Sequence, residues 1–109
     1  MKVRLDHPPL ADLAGNKLKA AGDKDFELQP AMINALLHFN PQTNVSGIDK
    51  YTRYKLAIRV DSATGIVELS AEEISLIKQL TGEIYIPVAV GRIWDLLEER
   101  QDESGDKAE

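Results

Sequence analysis

Residues 69–97 read LSAEEISLIKQLTGEIYIPVAVGRIWDLL, and this stretch decides the fold. Ser70-Ala71-Glu72-Glu73 spells a capping box. The Ser70 hydroxyl and the Glu73 carboxylate each satisfy a backbone N–H that a helix start leaves orphaned. Leu69 before the cap and Ile74 after it are spaced as a hydrophobic staple. Ile74, Ile77 and Leu80 then recur as an inner stripe. Gly82 stands where a left-handed residue would end the helix. Pro87 suits the first turn of the next helix, because its missing N–H is unneeded there. Val90, Ile93, Trp94 and Leu97 follow at i, i+3, i+4 and i+7. The spacing predicts two helices joined by a short connection, packed as an antiparallel hairpin.

Upstream, two more helices are expected. One starts near Pro30, carries Ile33, Leu36 and Leu37 inward, and is stopped by Pro41, which drives the preceding residue out of the α region. The other runs from Ser46 to Arg59 or Val60. Ser46 can cap it, and Asp49 puts a negative charge in its first turn. Tyr51, Tyr54 and Ile58 share one face, flanked by Lys50, Arg53, Lys55 and Arg59. Ile66–Leu69 reads as a short strand after the Thr64-Gly65 turn. At the N-terminus, Val3 and Leu5 alternate with polar residues, as a half-buried strand requires. Turn signals at Ala14-Gly15-Asn16 and Gly22-Asp23-Lys24-Asp25 suggest a β-hairpin.

The expected architecture is α+β: a short N-terminal β-hairpin, one further short strand and four helices, in a single globular domain over residues 1–100. The expected core is Ile33, Leu36, Leu37, Ile58, Leu69, Ile74, Ile77, Val90, Ile93, Trp94 and Leu97. Residues 101–109 hold one apolar residue, Ala108. They bury too little to offset their ordering entropy and are expected to form a disordered acidic tail.

Composition narrows the function. A chain of 109 residues with 43% hydrophobic and 28% charged residues is ordinary for a globular fold. It has no cysteine, which removes disulfides, thiolate metal sites and cysteine nucleophiles. No apolar run approaches the roughly 20 residues of a membrane span. The first residues lack the apolar stretch of a signal peptide, so a cytoplasmic protein is expected. Charge is uneven. Residues 1–60 hold nine Lys/Arg against six Asp/Glu, a balance of +3, whereas residues 61–109 hold four against twelve, a balance of −8. Phosphate repels so acidic a chain, which disfavours non-specific nucleic-acid binding.

Catalytic motifs are missing. HExxH, GxSxG and Walker-type phosphate loops do not occur. The two histidines, His7 and His38, are far apart in sequence. His38 suits a helix C-terminus electrostatically, and an enzymatic reading would need it in a pocket beside a carboxylate. Glu72 and Glu73 are explained by capping. No enzyme, cofactor or metal is therefore expected. Residues 70–97 could be read as helix-turn-helix, but the first turn of the second helix is apolar, with Arg92 its sole base-reading candidate. Lys50, Arg53, Lys55 and Arg59 beside Tyr51 and Tyr54 offer a second route to nucleic acid, since cations hold phosphate and aromatic rings stack bases. Protein contact has its own candidates: Tyr85, Arg92 and Trp94 are the residue types that dominate interface hot spots, and Ile84–Val90 is unusually apolar for a connection.

Four stretches, Lys50–Ala57, Val67–Ile74, Ile77-Lys78 and Val90–Leu97, together resemble small, largely uncharacterised proteins encoded by tailed bacteriophages and prophages. The resemblance covers about half of the chain and brings no catalytic motif. It implies an accessory protein of the bacterial host cytoplasm that works by binding, in virion assembly or on a host protein. The expected function is thus non-enzymatic contact with another protein or with a second copy of the chain. The candidate partner-binding residues are Tyr85, Arg92, Trp94, Lys50, Arg53, Lys55 and Arg59. The alternative is a small nucleic-acid-binding regulator using the basic helix at residues 50–59.

Overall fold

Strand pairing in this chain is long-range. In a computed structural model that describes residues 1–38 and 40–99, β1 (Lys2–Arg4) pairs antiparallel with β2 (Ile66–Glu68). The register sets Lys2 opposite Glu68, Val3 opposite Val67 and Arg4 opposite Ile66. Alternation then puts Val3 and Val67 together in the core, since side chains of a strand change face at every residue. Single bonds extend the pair at both ends, Leu5 N–H to Gly65 carbonyl at 2.7 Å and Leu69 N–H to Met1 carbonyl at 2.8 Å. Gly65 has a φ of +82°, which only glycine adopts without strain.

The expected N-terminal hairpin takes a different form. β1 finds its partner in β2, and the chain after Pro8-Pro9 reverses twice, closing on single antiparallel bridges, Ala11 with Lys17 and Lys19 with Asp25. Three residues spaced by eight close a ring of backbone hydrogen bonds. Leu10 donates to Phe26 (2.8 Å), Phe26 to Leu18 (3.0 Å) and Leu18 to Leu10 (2.8 Å). Each reversal is tightened by one further backbone bond, Asp12 N–H to the Asn16 carbonyl (2.9 Å) and Ala20 N–H to the Lys24 carbonyl (2.7 Å), and each pairing stops at a single bridge. Asp12 fixes the first reversal by accepting at Oδ1 from the N–H groups of Ala14 and Asn16, both at 2.9 Å.

Four helices make up the rest: α1 (Leu28–Leu37), α2 (Gly47–Ser62), α3 (Ala71–Ile84) and α4 (Pro87–Glu98). α1 packs on α2 and α3, α3 packs on α4, and α4 reaches β1. The local signals hold where they are strongest. Ser70 Oγ accepts from Glu73 N–H at 3.1 Å and Glu73 accepts from Ser70 N–H at 2.8 Å. Ser46 caps α2 through Asp49 N–H, and Pro87 opens α4. α1 begins two residues before Pro30, which leaves the proline still within the first turn. α3 and α4 are antiparallel, because Thr81 meets Trp94 while the earlier Lys78 meets the later Glu98.

Gly82 does not end α3. It is not among the positive-φ residues, and the helix runs on to Ile84. The stop comes from Tyr85 and Ile86, extended ahead of Pro87 as a residue before proline prefers.

The core is a continuous cluster in which Val3, Met32, Leu69, Ile77, Ile93 and Leu97 are fully buried. Each such side chain contributes about 1.5–3 kcal/mol relative to exposure. Leu36 and Ile74 are buried as expected, and Ile33 and Val90 are partly so. Leu37, Ile58 and Trp94 are exposed by 55%, 43% and 38%, contrary to expectation. α1 faces inward with Leu28, Ala31, Met32, Ala35 and Leu36, and Leu37 lies about 100° round the helix from Leu36. α2 faces inward with Leu56, Ala57 and Val60, which turns Ile58 outward. On α4, Ala89, Ile93 and Leu97 form the seam and Trp94 sits at its edge.

No helix among the described residues is long and apolar enough to cross a membrane. The stretch 101–109, expected to be a disordered acidic tail, lies outside the described residues.

Candidate functional site

The seven candidate residues divide into two groups. Tyr85, Arg92 and Trp94 make internal contacts. The Tyr85 hydroxyl donates to the Ala31 carbonyl at 3.0 Å, and its ring meets Phe26 edge-on with centroids 5.0 Å apart. Burial pushes its phenol above the ordinary tyrosine range. Arg92 donates from Nε to the Ala11 carbonyl (2.9 Å) and from a terminal nitrogen to the Asp12 carbonyl (3.1 Å), which ties the first reversal to α4. Trp94 donates its indole N–H to Thr81 Oγ1 at 3.2 Å, and the Lys78 ammonium lies 5.4 Å from its ring centroid.

Lys50, Arg53, Lys55 and Arg59 all belong to α2 but to two sides of it. Lys55 and Arg59 lie on the solvent side. The Lys55 ammonium is 5.9 Å from the centroid of Tyr51, a cation–π distance. Arg59 forms an ion pair with Glu73 of α3, and this bond holds the Glu73 carboxyl below the ordinary glutamate range. Lys50 and Arg53 line a cavity bounded by the C-terminal ends of α1 and α3.

The inward turn of Leu56, Ala57 and Val60 sends the large apolar residues of α2 outward. Ile48 is exposed by 80%, Tyr51 by 61% and Tyr54 by 51%. With Ile58 they occupy one face, at spacings of three and four residues over three turns. Tyr51 and Tyr54 stand beside each other with ring centroids 6.1 Å apart. The other large exposed apolar residues, Leu13, Leu37, Ile66, Ile86 and Trp94, come from five separate segments. Helical spacing places Tyr51, Tyr54 and Ile58 on one face, and of these Ile58 is the one expected in the core. Leu56, Ala57 and Val60 have the same periodicity, and that second stripe is the signal that could have reversed the assignment.

His38 caps α1 and is exposed at the rim of the cavity lined by Arg53. It has no hydrogen-bond partner among the described residues. His7 Nε2 lies 3.8 Å from Glu99 Oε1 and is buried without a hydrogen-bond partner among the described residues. Among the described residues no three His, Asp or Glu side chains are placed to hold a metal ion.

Comparisons with protein-family models, with curated proteins and with solved structures give no match for this chain.

Proposed function

We propose that this chain is a protein-interaction module that holds its partner on the outward face of α2. One observation carries the reading: Ile48, Tyr51, Tyr54 and Ile58 form a single apolar and aromatic stripe that the described residues leave exposed. Tyrosine is among the residue types that dominate interface hot spots. Lys55 within the stripe favours a partner segment with a carboxylate among apolar residues. The resemblance to phage-encoded proteins supports a phage or host bacterial protein as that partner.

The nucleic-acid alternative uses the same rings and cations. It is the weaker reading on electrostatic grounds. Arg59 is already paired with Glu73, Glu72 and Glu73 lie across the adjoining groove, and Asp61 sits on the stripe's other flank, where phosphate would be repelled.

The test is capture from bacterial lysate by the tagged full chain, with and without nuclease, beside a Tyr51→Ser/Ile58→Asp double variant. Both side chains are exposed, so the variant keeps the fold. The expected result is a protein held in stoichiometric yield by the parent, resistant to nuclease and lost from the variant. Equal capture by parent and variant would sink the α2 reading. Capture abolished by nuclease would put nucleic acid in its place.

A further inference from the structure

The flank of α2 and the C-terminal ends of α1 and α3 enclose a cavity of about 210 Å³. That is below the ~300–1,000 Å³ of drug-sized sites, so only a small molecule fits. Its walls differ in chemistry. Leu36, Val45, Leu80 and Ile84 make part of the lining apolar, and Arg53 of α2 and the exposed Glu83 of α3 line it too. Arg53 and Glu83 form no ion pair with each other, and neither has a hydrogen-bond or ion-pair partner among the described residues. Arg53 is nonetheless half-buried, and its fork of donors matches a carboxylate in two parallel bonds.

We infer that this cavity binds a free α-amino acid with an aliphatic side chain. Two opposite charges that line one cavity with apolar residues and do not pair with each other match a ligand that carries both. Arg53 takes the carboxylate. Glu83 takes the ammonium, and the apolar lining takes the side chain. The backbone decides against a simple anion. α1 ends at Leu37 and α3 at Ile84, and both residues line the cavity. Helix C-termini carry a partial negative charge and favour cations. These two ends and Glu83 offset Lys50 and Arg53, so the cavity has a positive and a negative pole of similar weight. A ligand of one charge leaves one pole unmatched. The cavity lies on a different flank of α2 from the Ile48–Ile58 stripe and is independent of the partner proposed there.

The experiment is calorimetric titration of the full chain with leucine, with isocaproate, which lacks the ammonium, and with isoamylamine, which lacks the carboxylate. Amide shifts place the binding. Leucine is expected to saturate, with shifts centred on Leu36, Arg53 and Leu80. Arg53→Gln and Glu83→Gln are each expected to weaken leucine by about tenfold or more, the scale of a hydrogen bond to a charged group. Arg59→Gln is expected to leave it unchanged. Neither Arg53 nor Glu83 has an internal partner to lose, so both variants should keep the parent's thermal midpoint. Leucine that saturates no shift at millimolar concentration overturns the inference. Isocaproate binding as tightly as leucine, with Glu83→Gln silent, also overturns it and leaves a plain carboxylate site.

Discussion

Trp94 of α4 donates its indole N–H to the hydroxyl of Thr81 on α3, at 3.2 Å. Thr81 is the one buried polar side chain among the described residues. Its own hydroxyl proton has the Ile77 carbonyl at 2.9 Å and the Lys78 carbonyl at 3.0 Å as acceptors within the helix. One oxygen thus joins the α3 backbone to the edge of α4. Thr81→Val keeps the shape and removes the oxygen. The half-exposed indole can turn to water, so the expected loss is about 1 kcal/mol, read from urea unfolding. A loss above about 3 kcal/mol would mean that the indole is sealed from solvent.

The facing of α2 is testable by stability alone. Leu56 is 4% exposed and Ile58 is 43% exposed. Leu56→Ala should cost about 2–5 kcal/mol, the range for a buried leucine. Ile58→Ala should cost no more than about 0.5 kcal/mol, as at an ordinary surface position. The reverse order would return Ile58 to the core.

Two helical glycines should respond to alanine unequally. Nothing lies within 4 Å of a Cβ built on Gly91, whereas one on Gly82 meets the Trp94 ring at 3.4 Å. Alanine is favoured over glycine in a helix interior by about 1 kcal/mol. Gly91→Ala in α4 should realise that gain, and thermal unfolding should show a higher midpoint. Gly82→Ala should realise less, because Trp94 must accommodate the new methyl group. Equal gains would show that the ring moves freely.

Acid should weaken the α2–α3 contact. The Arg59 guanidinium, chiefly, and the Ser70 N–H hold the Glu73 carboxyl below its ordinary range in the folded chain. A carboxyl lowered by folding stabilises the native state fully above its unfolded value. That contribution fades as pH falls through the native value. Glu73→Gln should therefore cost stability at neutral pH and flatten the acid limb of a stability–pH curve. A parallel displacement of the whole curve, with the acid limb unchanged, would assign Glu73 a capping role alone.

Legibility followed the range of the signal. α3 and α4 could be read because caps and prolines act within a turn of themselves. β1 could be read as a strand from Val3 and Leu5, but period-two alternation does not name a partner, and the partner lay beyond residue 65. α2 misled because large side chains stood on the solvent side while Leu56, Ala57 and Val60 formed the seam. Tyr85 and Arg92 carried the composition of an interface. Their acceptors are the backbone carbonyls of Ala31, Ala11 and Asp12, which no residue type announces. The cations of the cavity were visible as a run on one helix. Glu83 across from Arg53 is a product of tertiary packing.

The pairing of β1 with β2 sets a timetable. Chains are made at about 5–20 residues per second, N-terminus first. Val3 therefore waits several seconds for Val67, its edge open to other chains. Two bonds of the ring of Leu10, Leu18 and Phe26 span eight residues and the third spans sixteen, and loops of about ten residues form in about 10–100 ns. The early segment can thus fold back on itself while β1 still waits. Nascent chains halted before residue 66 should display the ring but leave β1 unpaired, the stage at which this protein is most exposed to aggregation.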